Sequence, residues 1–268
     1  MHLVALLHRP KDPAAAAKVL IDASGMTPAE AKMRLAPEPP ALLARLPEDS
    51  ALAVMDALRD AGLSALALDE AVPRDPERVV GRTLAFGPQA LTVTPRAGSP
   101  MEIPWEDVTV ILRAASAVRT TTDVTTTSTQ FSPAMAIATG GLQMKRKVEE
   151  TTRTTQSDAE QAIYVYGAGG VAAVLRERAM DFSCLGKAVQ PVRLANMATM
   201  ARMLRERAKQ AAYDERLIQL GKRPLPFVLA GETRMATGSV STARMNTAPG
   251  VDVLAEVLRQ AFERGLLP

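Results

Sequence analysis

Apolar positions in the first 70 residues switch repeatedly between a strand-like run and a helical period. Residues 3–8, LVALLH, form a short apolar run that predicts a strand. Residues 13–23 predict a helix, with Pro13 in its first turn and Ala14 to Ala17 as strong helix formers. Gly25 breaks it. Thr27 then caps a second helix, with Pro28 at its first position and Glu30 at its third. Ala29, Met33 and Leu35 share no clean stripe, and Pro37, Pro39 and Pro40 follow, so this helix should be short. After LLARL, Pro47-Glu48-Asp49-Ser50 starts a helix over 49–61. There Leu52, Val54, Met55, Leu58 and Ala61 recur at helical spacing before Gly62. Residues 63–68, LSALAL, return as a strand. The order is β-α-α-β-α-β, a small sandwich over residues 1–70, followed by a linker at Val72-Pro73-Arg74-Asp75-Pro76.

The texture then changes. Residues 82–86, 89–94 and 101–103 read as short strands separated by Gly87-Pro88 and Arg96-Ala97-Gly98-Ser99, and IPWEDV leads into a further strand over TVILRA. This pattern predicts a β-roll or small barrel. Two Thr-rich arms, 120–130 and 149–156, flank the apolar FSPAMAIATGGLQMK. Threonine favours strands, so residues 116–157 read as a long hairpin inserted in the roll and turning near Gly140-Gly141, with partial disorder as the alternative. AIYVY, residues 162–166, is a strand turned by GAGG. Residues 171–180 fit a second hairpin strand somewhat better than a helix. Residues 192–212 read as a helix with Leu194, Met197, Met200, Met203 and Leu204 on one face. Residues 213–250 read as irregular, and 251–264 as a final helix with Leu254, Val257, Leu258, Ala261 and Phe262 inward. The fold class is therefore α+β: one module at 1–70, and a second at 77–268 ending in helices.

Composition narrows the class. Only 3% of residues are aromatic, so the core must be built from Ala, Leu, Val and Met. No run reaches the ~20 apolar residues of a membrane span, and the opening MHLVALLHRP reads as a strand and not a signal peptide. The single cysteine, Cys184, excludes an internal disulfide and fits a reducing cytoplasm. The net charge is +3, unevenly spread. Residues 1–70 hold 7 basic and 10 acidic groups, and residues 161–268 hold 15 and 9. A basic C-terminal part is suited to an anionic partner.

Lys18, Ser24-Gly25-Met26, Glu30-Ala31-Lys32, Pro39-Pro40 and Ala61-Gly62 carry a resemblance. Over residues 3–68 the pattern resembles the C-terminal domain of the bacterial ribosomal stalk protein, a fold shared with the Clp protease adaptor. In that family the surface around the positions matching Lys18, Glu30 and Lys32 docks translation factors, so the resemblance implies a protein-binding surface there. Residues 82–182, through ALTVTP, MEIPWEDV and VILRA, look like a bacterial pleckstrin-homology-like domain. That resemblance implies that Trp105 packs the roll, that a final helix caps it, and that the domain binds lipids, peptides or other domains without catalysing a reaction.

Several residues invite a chemical reading. Gly167, Gly169 and Ala172 have the G-x-G-x-x-A spacing of a dinucleotide loop after a strand, with Gly170 between them. The chemistry needs a helix N-terminus next and an acid about 20 residues on. DFSCLGKAVQP stands there instead, so a plain hairpin turn is the better reading. Cys184 lacks a nearby base, since the only histidines are His2 and His8, and these cannot make a zinc site alone. Arg193, Arg202, Arg205, Arg207 and Arg216 belong to a basic stretch suited to phosphates, although Tyr213 is the only aromatic platform near it. The hairpin tip is apolar at Phe131, Met135, Ile137 and Leu142 and bounded by Lys145, Arg146 and Lys147, which suits a protein partner or an anionic surface. The expectation is a non-catalytic cytoplasmic adaptor without cofactor or metal. It would bind a protein through Lys18, Glu30 and Lys32 and through the hairpin tip. The alternatives are a nucleotide-binding enzyme using the GAGG turn, and a peripheral lipid or nucleic-acid binder using the basic C-terminal face.

Overall fold

The computed structural model describes residues 1–71, 78–131, 145–222, 231–237 and 239–267. The N-terminal part follows the predicted order of elements: β1 (His2–Leu6), α1 (Pro13–Ser24), α2 (Pro28–Leu35), β2 (Ala41–Leu46), α3 (Glu48–Asp60) and β3 (Ala65–Asp69). Local chemistry fixes the helix ends. The Asp12 carboxylate accepts the Ala14 and Ala15 N–H groups at 2.9 and 3.0 Å. Thr27 and Glu30 form a reciprocal capping box, and Gly25 closes α1 in the left-handed region at φ 70°. The three strands form an antiparallel sheet in the order β2-β1-β3. Val4 and Leu6 pack under the helices with Leu20, Val54 and Leu58, while Leu3, Ala5 and Leu7 face the opposite way and are equally buried. A strand buried on both faces reads as an unbroken apolar run, which is why LVALL shows no alternation.

What covers the second face comes from the far end of the chain. The remaining elements are β4 (Val79–Phe86), β5 (Ala90–Pro95), β6 (Met101–Pro104), β7 (Val108–Phe131), β8 (Lys145–Gly167), β9 (Ala172–Arg176), α4 (Arg193–Arg207), β10 (Ala212–Asp214), β11 (Gly231–Thr237), β12 (Val240–Asn246) and α5 (Ala248–Glu263). The strands make one curled sheet, a half-barrel, in the order β11-β12-β7-β8-β9-β4-β5-β6, with β10 parallel to β7. Its inner face holds Leu91, Val93, Ile103, Ile111, Ile163 and Leu175, closed by Met197, Met200 and Leu204 of α4. Trp105 is buried there, stacks on Phe86 at 6.1 Å and donates from Nε1 to the Gly87 carbonyl at 3.0 Å. The outer face, Val110, Leu112, Ala114, Tyr164 and Val174, packs on α5, and the other side of α5 packs on Leu3, Leu66 and Leu68. The layers are therefore helices α1–α3, the small sheet, α5, the curled sheet and α4. Among the described residues no helix is long and apolar enough to cross a membrane.

Two expectations are corrected and a third is extended. The described residues of 213–250 are not irregular: they include β10, a 3₁₀ turn at Arg216–Lys222 and the paired strands β11 and β12. That strand pair lies along β7, and its polar alternation carries no apolar period because it builds no core. The helix expected over 192–212 ends at Arg207, after which the chain extends to pair with β7, and Leu194 is 48% exposed instead of inward. The last helix buries its expected face, Leu254, Val257, Leu258 and Ala261, but is buried beyond it at Val251, Val253 and Ala255. A helix with an apolar sheet on each side is buried all round.

Two acids are buried on α5, Asp252 and Glu256. Asp252 Oδ1 accepts the Tyr164 hydroxyl at 2.6 Å and pairs with Arg78 at 2.6 Å and Arg176 at 3.5 Å. The Arg78 side chain is only 3% exposed and lies over the Tyr164 ring at 5.2 Å. Burial, then the Asp252 charge, pushes the Tyr164 phenol well above its ordinary value, so it stays a donor. Glu256 is held by Arg259 and accepts from Gln260 Nε2 at 3.0 Å, with Arg259 over the Tyr166 ring at 5.9 Å. Removing one member of such a buried set strands the others. Asp252→Ala should cost about 3 kcal/mol or more in denaturant unfolding, whereas the exposed Asp123→Ala should cost under about 1 kcal/mol.

Candidate functional site

The largest feature outside the layers is the β7/β8 hairpin. The strands have 24 and 23 residues and pair from Val108↔Gly167 out to Phe131↔Lys145. β7 is in the core up to Ala117, where Ala114, Ala115, Ser116 and Ala117 are buried. Thr247, 5% exposed, locks that point: its hydroxyl accepts the Ala117 N–H at 2.7 Å and donates to the Ala117 carbonyl at 3.2 Å. Beyond Val118 the hairpin leaves the body as an arm of about 40 Å, at ~3.3 Å per residue. β12 supports its base, pairing from Val118↔Asn246 to Val124↔Val240.

Among the described side chains of the arm, polar cross-strand contacts stand out. Asp123 and Arg153 form a two-bond pair at 2.8 and 3.0 Å, and the guanidinium holds the Asp123 carboxyl below its usual value. Thr121 and Thr155 meet at 3.4 Å, and Thr125 and Thr151 at 3.2 Å. Such cross-strand pairs between β-branched residues hold the ribbon together. On β8, residues 151–159 are all exposed. β9 pairs with β8 only over residues 162–166, so among the described residues the edge of β8 outward from there has no second strand. β11 likewise pairs on one side only. An open edge presents unpaired N–H and C=O groups ready to take another strand.

A second feature is an open groove of about 760 Å³ between the start of β4, the β5–β6 turn and the segment after β9. Its lining includes Arg78, Arg82, Arg96, Ser99, Arg178 and Asp181. Arg82 stands at an irregularity where the β4/β5 register shifts between Gly81 and Thr83. Bulges of this kind re-aim a side chain. Around Gly81 the side chains of the two neighbouring strands crowd closely: a Cβ there would lie 2.6 Å from Leu175 Cδ2 and 2.9 Å from Val93 Cγ1. Arg178 pairs with Asp158, and Asp181 accepts the Ser183 N–H at 2.9 Å, which keeps its carboxyl below the usual value.

The residues expected to bind a partner are not gathered in one place. Lys18 and Lys32 are exposed on α1 and α2, in the outer helical layer. Glu30 is exposed too, but its Oε2 is taken by the Thr27 N–H at 2.9 Å and the Thr27 hydroxyl at 2.8 Å. Phe131, Lys145, Arg146 and Lys147 lie at the outermost described pairs of the arm. Met135, Ile137, Leu142 and the turn at Gly140-Gly141 lie outside the described residues.

The GAGG segment links β8 to the antiparallel β9, with Gly169 and Gly170 at φ 70° and 83°. A strand follows it and not a helix, so no helix N-terminus faces the loop to receive a pyrophosphate. Cys184 is half-buried, and burial pushes its thiol up, away from the reactive thiolate. His2 lies 3.9 Å from Glu48. The arginines of 193–216 are largely engaged inside the fold. Arg193 donates to the Met180 carbonyl at 2.8 Å, Arg207 to the Gly87 carbonyl at 2.7 Å, and Arg216 to Asp214 at 2.8 Å and the Leu7 carbonyl at 3.1 Å. Arg205 lies over the Tyr213 ring at 4.9 Å, and Arg202 pairs with Glu206. The basic stretch is thus mainly a set of internal ties.

Arg82 and Arg96 escaped the sequence reading because single arginines beside turns look like solvated surface; only the β4/β5 pairing brings them together. Asp252 had a legible signal, an acid among seven apolar or small residues at 250–258, but its partners are 76 to 174 positions away. Among the described residues no group of three or more His, Cys, Asp or Glu side chains is placed to hold a metal ion. Thr247→Val should leave the Ala117 N–H without its acceptor, cost about 1–3 kcal/mol, and speed amide exchange at the arm's root more than at α3. No protein-family model, curated protein or solved structure matches this chain.

Proposed function

We propose that the protein is a non-catalytic cytoplasmic adaptor, with a stalk-like module at 1–70 and a pleckstrin-homology-like roll after it, whose arm docks a partner protein. The observation that carries this reading is the arm itself. Its 151–159 segment is exposed and keeps an open strand edge, although a backbone edge left bare is an aggregation hazard. A partner strand added along β8 would use that edge, with main-chain bonds giving affinity and alternate side chains giving specificity. Lys18 and Lys32 on the outer helical layer form a second contact surface in this reading, while Glu30 serves mainly to hold Thr27. The engaged arginines of 193–216 favour this reading over a lipid or nucleic-acid binder, and the strand after GAGG favours it over a nucleotide enzyme.

The test is to shorten the arm without touching the body. Thr120 and Gln156 are direct cross-strand partners, so residues 121–155, which carry most of the open edge, can be replaced by Asn-Gly, which favours a two-residue hairpin turn. β12 keeps its pairs with Val118, Arg119 and Thr120, so the root of the arm stays paired, and a cooperative melt checks that the body is folded. Quantitative pull-down from native cytoplasm should recover a partner with the full chain and lose it with the shortened one. A partner kept by the shortened chain, or none with either, overturns the proposal.

A further inference from the structure

The groove between β4, the β5–β6 turn and the segment after β9 has a chemistry that the adaptor reading does not use. Among the described residues its cations come from three separate stretches of chain, and all four are arginine. Two are already matched, Arg78 by the buried Asp252 and Arg178 by Asp158. Arg82 and Arg96 are exposed and have no ion-pair partner among the described residues. Among the described residues Asp181 is the only carboxylate in the lining; its carboxylate accepts the Ser183 N–H and feels the Arg82 charge without forming an ion pair with it.

The backbone sets these two arginines side by side. Gly81 pairs with Pro95, and Arg82 and Arg96 each follow one member of that pair. Arg96 lies in the bend just beyond β5 and Arg82 at the register shift of β4, and both line the groove. Two long, exposed side chains lining one groove can close on one tetrahedral oxyanion between them. The planar guanidinium fork binds phosphate oxygens in pairs, which a lysine ammonium does not. The Ser99 hydroxyl in the same lining adds a neutral donor. The matched pairs beside the site act differently. Arg78, fixed by Asp252 and Tyr164, gives a rigid wall that does not have to be ordered when a ligand enters.

We propose that this groove is a phosphate-binding site, with Arg82 and Arg96 clamping a phosphate monoester group and Ser99 completing the set. The group can belong to a free phosphorylated small molecule or to a lipid headgroup, and the two sources are separable by experiment. The full-length chain is titrated calorimetrically with inorganic phosphate and with glycerol 3-phosphate, at constant ionic strength set with chloride. A flotation assay uses phosphatidylcholine vesicles with and without phosphatidic acid. The variants are Arg82→Gln with Arg96→Gln, and Lys187→Gln as an exposed cation outside the groove. Neither arginine side chain has a hydrogen-bond or ion-pair partner among the described residues, and Arg82 acts on Asp181 only through its charge, so the double variant should melt close to the wild type. Saturable binding that weakens at least tenfold in the double variant and is unchanged in Lys187→Gln is the expected result. Affinity for glycerol 3-phosphate assigns the site to a free ester, and capture by phosphatidic acid vesicles alone assigns it to a headgroup. Absence of saturable binding to all probes, or equal weakening in Lys187→Gln, overturns the proposal.

Discussion

The architecture depends on one helix lying between two sheets. Both β1-β2-β3 and the outer face of the curled sheet are apolar on the side facing α5. Burying side chains such as Leu254 and Leu258 contributes about 1.5–3 kcal/mol each. That force has no direction, so an apolar helix between two apolar faces could rotate or slide at little cost. Asp252 removes the freedom. Only one setting of α5 gives its carboxylate the Arg78 guanidinium, the Tyr164 hydroxyl and the nearby Arg176. A buried ionic set adds little net stability relative to well-packed apolar residues, but every other setting would leave a buried charge unpaired. Asp252 therefore acts on register, while the leucines supply the cohesion.

The same contact ties the two ends of the chain together. Leu3 and Leu66 meet α5 residues some 190 to 250 positions away. Arg216 adds a polar tie, donating to the Leu7 carbonyl. Each half therefore completes the other's core. Contacts this distant in sequence are costly in chain entropy until many form at once, so the sandwiching of α5 is expected to be a late, cooperative event in folding.

Around this rigid stack the surface features fall into two physical kinds. The arm is a polar ribbon held by backbone pairing, Thr–Thr contacts and the Asp123–Arg153 pair, and anchored at its root by Thr247. The groove is the opposite, a fixed concavity whose wall is stiffened by the buried ion set and whose exposed arginines without an ion pair, among the described residues, are Arg82 and Arg96. An extended edge suits another polypeptide, and a preformed cationic concavity suits a small anion. The two features need not serve the same ligand.

Local structure was determined by the sequence itself. Thr27-Pro28 with Glu30, the Gly25 and Gly62 stops and the apolar runs 3–8 and 63–68 specify their elements, because capping, chain breaking and period act within a few residues. The Thr-rich arms likewise announced a long hairpin through β-branching alone. Tertiary structure decided what those elements meet. LVALL signalled burial on both faces but not that a helix from residues 248–263 covers one of them. The β11/β12 strand pair was invisible because its partner is β7 and not a core. Arg82 and Arg96 became a pair, and the arginines of 193–216 became internal ties, only through contacts that no local pattern encodes. Capping and periodicity are short-range, whereas charge compensation and sheet edges depend on which distant segments share space.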